Sequence, residues 1–215
     1  MANKRVLLLA TVGLFSIAAV SFAQKRLGPK TRDTILDARV DPAFPTAGMV
    51  RLIFLPFANE IDYPEGAMIL AENFIGAMRQ KHPEISIVSP QDTKKLIQDE
   101  QLSSEYQTFE GHYLNTGVAT MPFLQALGRT GKVDGIILGT IRAFGVSTQI
   151  TTWGGWSWSK DRAVVGMGLT VIRTQDGRDL WSGTHVVQGE KNENVRELSK
   201  VVGDVFATYY GRPPY

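Results

Sequence analysis

Between Val133 and Glu190 the helical period disappears from the chain. The stretch reads as three strand runs in succession, "VDGIILGTIRAFGVSTQITT", "AVVGMGLTVIRT" and "RDLWSGTHVVQGE", rich in β-branched residues. Glycine punctuates them: Gly154 and Gly155 lie between the first two, and "QDG" joins the last two. Asp176 and Gly177 are the pair a type I′ turn prefers, because both central positions need positive φ, and Gly-Gly permits the same turn. Strands this close in sequence must pair antiparallel, since a parallel pair needs a crossover of about a dozen residues or more. This half of the chain is therefore an antiparallel meander.

The residues before it alternate instead. "MVRLIFLPFAN" is an apolar run ended by proline and reads as a buried strand. In "DYPEGAMILAENFIGAMRQKH", Asp62 with Pro64 and Glu65 signals a helix start. Leu70, Phe74 and Met78 recur every four residues beside Ala67, Ala71 and Ile75, which makes one core-facing stripe. "EISIVS" is a second strand, and "SPQDTKKLIQDEQ" a second helix with Ser89 as cap and Pro90 in its first position. The segment 102–117, "LSSEYQTFEGHYLNTG", reads equally as a loop or as short helical turns. "TMPFLQALGRTGKVD" forms a third helix from near Thr120 to Gly128 or Gly131. A last helix is capped by Asn194 and buries Val195, Leu198, Val202, Val205, Phe206 and Tyr209. The order β-α-β-α-α-β-β-β-α predicts an α/β fold with a single mixed sheet and helices packed on it.

The N-terminus reads as a secretory signal peptide over 1–23. Lys4 and Arg5 precede an apolar run, and "SFA" ends it with small residues before Gln24. Removing that segment leaves 21 basic and 21 acidic residues, so the predicted mature chain is formally neutral and offers no general attraction for nucleic acid. The protein has no cysteine, which excludes disulfide staples and a cysteine-linked lipid anchor. Residues 24–48 read as an extended arm or linker, 49–211 as one α/β domain, and 212–215 as a short tail. The piece "TILDARV" within the arm is apolar enough to dock on the domain or on a neighbour.

Several local phrases, in this order, resemble the TolB N-terminal-domain-like fold of bacterial envelope proteins. That group includes the curli secretion channel subunit and periplasmic activators of penicillin-binding proteins. The phrases are "VRLIFLPFAN", "SIVSPQDTKKLIQDEQL", "ALGRTGKVDGIILGTI" and "TVIRTQDGRDLWSGT", covering about Met49 to Tyr210. The resemblance implies a periplasmic, non-catalytic scaffold that contacts envelope proteins, often assembles with itself, and needs no cofactor. The chain departs from the lipoprotein members in lacking a cysteine to lipidate, and has room for at most one short membrane hairpin. Neither lipid anchoring nor pore formation is therefore carried over.

Motifs for catalysis are missing: there is no cysteine nucleophile, G-x-S-x-G elbow, H-E-x-x-H or Walker loop. His82, His112 and His185 are scattered and have no second ligand at metal-binding spacing. The expectation is no enzyme, no metal and no cofactor, although paired carboxylates become recognisable only in three dimensions.

One motif stands out. "TTWGGWSWSKD" packs three of the four tryptophans into six residues. With Gly154 and Gly155 as a two-residue turn, Trp153 pairs with Trp156, Thr151 with Trp158 and Gln149 with Lys160. All three tryptophans then share one face, which continues as Ala143, Gly145, Val164, Gly166 and Gly168. Phe144, Val146 and Ile150 take the opposite, core side with Val165, Met167, Leu169 and Val171. A single β-bulge would invert that parity. Trp153, Trp156, Trp158, Thr151 and Lys160 are the candidate partner-binding residues. The alternatives are cover by the chain's own 102–117 segment, a peptidoglycan strand stacked on the indoles, and insertion at a membrane interface.

Overall fold

The computed structural model describes residues 36–153 and 155–212. The expected signal peptide, the first part of the arm, Gly154 and the last residues of the tail lie outside the described residues. Six strands form one sheet in the order β1-β6-β5-β4-β2-β3. They are β1 (Leu36–Val40), β2 (Arg51–Phe54), β3 (Ser86–Val88), β4 (Gly135–Trp153), β5 (Trp156–Arg173) and β6 (Asp179–Gln188). The helices are α1 (Pro64–Lys81), α2 (Pro90–Asp99), α3 (Ser103–Thr116), α4 (Met121–Thr130) and α5 (Val195–Tyr209). Strands β3, β2 and β4 run parallel, whereas β4, β5, β6 and β1 are antiparallel neighbours. The fold class is α/β with one mixed sheet, as the alternation and the meander require.

Alternation along β2 sorts the two cores. Leu52 and Phe54 enter a cluster with α1 and α5, while Ile53 and Leu55 enter a second cluster with α2, α3 and α4. In the first, Phe74 meets Phe54 and Phe206 edge-on at centroid distances of 5.8 and 6.4 Å, and Trp181 packs against Phe206 at 5.9 Å. In the second, Phe109 packs on Phe123 at 5.1 Å. Asp134 ties the two halves of the chain together, its carboxylate accepting from the Val50 and Arg51 amides at 2.9 and 2.7 Å.

Four readings are corrected or sharpened. Within the expected arm, the apolar piece "TILDARV" docks on the domain: Leu36–Val40 pairs antiparallel with β6 and completes the sheet. Five partly charged residues carry no readable period; the open edge of β6 makes them a strand. Segment 103–116 is a helix, with Tyr106, Phe109 and Tyr113 turned toward α4. Helix α1 starts after Tyr63, and Asp62 makes no capping bond; Ser89 and Asn194 do cap their helices. The β5–β6 connection is longer than a two-residue type I′ turn: Arg173 N donates to Arg178 O, and of Asp176 and Gly177 only Gly177 has positive φ, at 71°. Arg173 clamps the Asp176 carboxylate across this turn, which holds Asp176 below the usual carboxylate range.

Candidate partner-binding hairpin

The candidate site begins where sheet pairing stops. Strand β2 ends at Phe54, and the next backbone bonds to β4 come from Leu55 and Ala58. Asn59 then imitates one more strand residue: its side-chain amide donates to Ile141 O and accepts from Ile141 N, both at 2.9 Å. Beyond this side-chain plug β4 has no neighbour on that edge among the described residues. Asn59→Ala removes both bonds from a part-buried backbone pair. The expected cost is about 1–3 kcal/mol, read as a lower denaturation midpoint.

A bulge follows at once, between Ile141 and Ala143. It lies below the tip, so it leaves the tip pairs intact, and it is also the step that keeps both Ile141 and Phe144 on the α1 side. Phe144 covers Gly66 of α1, where an added Cβ would lie 2.7 Å from its ring. Gly145 comes next with φ 136°, a conformation L side chains rarely adopt. A Cβ there would meet nothing, so Gly145→Ala adds strain without a clash. We expect it to redirect the hairpin at about 1–3 kcal/mol of local cost, seen as altered tip amide shifts with core shifts unchanged.

Past this hinge β4 and β5 soon lose their neighbours: among the described residues, the last backbone bond to β5 from the β6 side runs from Gly189 N to Ala163 O at 2.8 Å. Strand β6 stops at the Val164–Gln188 pair, while β4 and β5 remain paired through Trp153–Trp156. Seven further steps at about 3.3 Å carry the tip roughly 23 Å past the Ala163 bond. The expected pairs Thr151–Trp158 and Gln149–Lys160 are present. Thr148 donates to Asp161 at 2.7 Å, and Thr152 bonds Ser157 at 3.1 Å across the ladder. Both of these contacts lie on the face opposite the tryptophan positions.

The expected core side does not extend this far. Val146 and Ile150 are 62% and 72% exposed, because the hairpin has outrun the helices that would cover them. Trp156 is 77% exposed, and Thr151 and Lys160 are exposed beside it. Helix α3 does not cover Trp156; it packs on α4 through Phe109 and Phe123.

Charge divides between the two faces. Asp161, on the face away from the tryptophan positions, pairs with Lys191 at 2.7 Å. The Lys191 and Thr148 bonds hold its carboxyl below the usual carboxylate range. A depressed folded pKa contributes stability above the ordinary carboxylate pKa and loses it as pH falls through the lowered value. Acidification below pH 4 is therefore expected to loosen the foot of the hairpin, measurable as faster exchange of the Thr148 and Asp161 amides. On the tryptophan face, Lys160 and Arg162 have no carboxylate partner among the described residues, nor has Arg142 at the bulge.

The three histidines sit on separate elements. His82 bonds Ala207 O at 2.8 Å, His112 lies on the exposed side of α3, and His185 is buried against Phe206 at 6.5 Å. Among the described residues no group of three His, Asp or Glu side chains could hold a metal, and no helix is long and apolar enough to cross a membrane.

No family model and no curated protein matches the chain. Solved structures do. A PelC dodecamer from Paraburkholderia phytofirmans superposes with a TM-score of 0.50 at 12% identity, covering 82% of this chain and 96% of that one. A lipoprotein, GNA1162 from Neisseria meningitidis, gives 0.48 at 17% identity, covering 74% of this chain and 96% of its own. The likeness to PelC is one of fold. At 12% identity it carries no residue's role across.

Proposed function

We propose that this protein is an exported, non-catalytic assembly component of a bacterial cell-envelope machine, resident in the periplasm and acting through protein contacts and self-assembly. The carrying observation is the free-standing hairpin. A two-stranded ribbon is marginally stable alone in water, and this one ends in an indole exposed over three quarters of its surface. Exposed tryptophan is the side chain most enriched at binding hot spots. The fold shared with a protein that forms a dodecamer supports the self-assembling part of the reading.

The test is direct. Light scattering on residues 24–215 is expected to give a mass above one chain. Crosslinking in the native envelope is expected to return the same neighbours repeatedly, and Trp153→Ala, Trp156→Ala and Trp158→Ala together should weaken their capture at least about 30-fold. A strict monomer whose neighbours are captured unchanged by the triple variant would refute the proposal.

A second reading has its own observation. Lys160 and Arg162 follow Trp156 and Trp158 in the same row of β5, an arrangement suited to a peptidoglycan strand stacked on aromatic rings with cations beside it. Co-sedimentation with purified peptidoglycan, with a blue shift of tryptophan emission, is the outcome that favours it over a protein partner.

A further inference from the structure

The described surface carries a second apolar feature, and its charge is opposite to that of the hairpin. At the end of the sheet where β2 finishes, the N-terminal halves of α1 and α2 enclose a cleft of about 220 Å³. Phe57, Ala67, Ala71 and Ile75 supply its apolar lining, and Met68, 43% exposed, lies on its rim. Ile61, in the loop leading to α1, is 92% exposed. The volume is below the roughly 300–1,000 Å³ of small-molecule sites and suits a single large side chain.

Glu60, Glu72 and Lys94 are the charged residues that line this cleft, and Asp62 stands in the chain between its lining residues Glu60 and Pro64. Glu60 is neutralised by Lys94 at 2.5 Å, and Glu65 by Arg196 at 2.9 Å. Asp62 and Glu72 have no cationic partner among the described residues. One chain thus carries an exposed indole with unpaired Lys160 and Arg162 behind it, and an apolar cleft lined by unpaired Glu72, with unpaired Asp62 in the loop between its lining residues Glu60 and Pro64. Within one copy the two stay apart, since Trp156 remains exposed.

We infer that the hairpin tip of one copy docks in the α1–α2 cleft of a second copy, with Trp156 as the anchor and Lys160 and Arg162 facing Asp62 and Glu72. The charge complementarity selects this occupant, because the cleft repels an acidic ligand and accepts a cationic aromatic knob. The two surfaces differ, so the contact is head-to-tail. Such a contact repeats from copy to copy and either closes into a ring or grows as a filament. The inference rests on the self-assembly proposed above and names the surfaces that carry it.

Charge exchange tests it on residues 24–215. The variant Lys160→Glu/Arg162→Glu has an acidic hairpin and an acidic cleft, and Asp62→Lys/Glu72→Lys has a basic hairpin and a basic cleft. Each alone is expected to fall to the monomer mass in light scattering. Mixed in equal amounts, every hairpin again meets a cleft of opposite sign, and the wild-type mass is expected to return. Trp156→Ala should lower assembly at least tenfold in the wild type and in the mixture. Either double variant assembling normally by itself overturns the inference, as does a mixture that stays monomeric while the wild type assembles. A monomeric wild type removes the self-assembly reading as well.

Discussion

Replacing Gly203 with valine is expected to lower stability by about 3 kcal/mol or more and to shift the urea midpoint accordingly. Gly203 lies where α5 crosses α1. A Cβ added there would sit 2.8 Å from the carbonyl carbon of Asn73 and 2.9 Å from the amide nitrogen of Phe74. Both obstacles are backbone, so no rotamer change relieves the clash. The helices must move apart, and the pair they hold together, Phe74 and Phe206, loses its edge-on contact. Overpacking typically costs about 1–3 kcal/mol, and losing an adjoining aromatic contact adds about 0.5–1.5 kcal/mol. Against a total of roughly 5–15 kcal/mol this is a large fraction. Gly203→Ala should give a smaller shift in the same direction, and an unchanged midpoint for valine would show that α5 crosses α1 elsewhere.

The second large effect concerns α3. Phe109 is its one fully buried residue, resting on Phe123 and close to parallel with Tyr113 at 6.0 Å. The Tyr106 hydroxyl donates to Glu110 at 2.9 Å, and its burial together with that carboxylate pushes its pKa well up. Truncation of a buried phenylalanine costs about 3–5 kcal/mol, more than an isolated 14-residue helix of this composition recovers from its own hydrogen bonds. Phe109→Ala is expected to unfold α3 locally. Hydrogen exchange should show lost protection across 103–116 while β4 and β5 amides stay slow. Retained protection in that segment would mean that other contacts hold α3.

These two sites show how unevenly the structure could be read from the chain. The stripe of Leu70, Phe74 and Met78, the caps at Ser89 and Asn194, and the tryptophan pairing across Gly154 and Gly155 all depend on near neighbours in sequence. Helix α3 carried a signal too, since Tyr106, Phe109 and Tyr113 stand at i, i+3 and i+7. The polar residues between them masked it, because a helix anchored by so few side chains needs no continuous apolar stripe. Leu36–Val40 carried a docking signal in its apolar residues but none for a strand: its conformation comes from an edge formed about 140 residues later. Likewise, alternation assigned Val146 and Ile150 to the correct face but not to water.

Local chemistry was enough to dictate strands, most helices, the tight tryptophan tip and the mixed sheet, because spacing and turn residues act over a few positions. Contacts distant in sequence settled the rest. Asn59 and the bulge at Arg142 close the β2 edge of β4, and the end of β6 leaves β5 without a strand neighbour other than β4 beyond Ala163. That combination turns a strand hairpin into a projecting arm. Neither the length of a neighbouring strand nor the packing that brings Glu60 and Glu72 to one cleft is written in the residues of the hairpin itself.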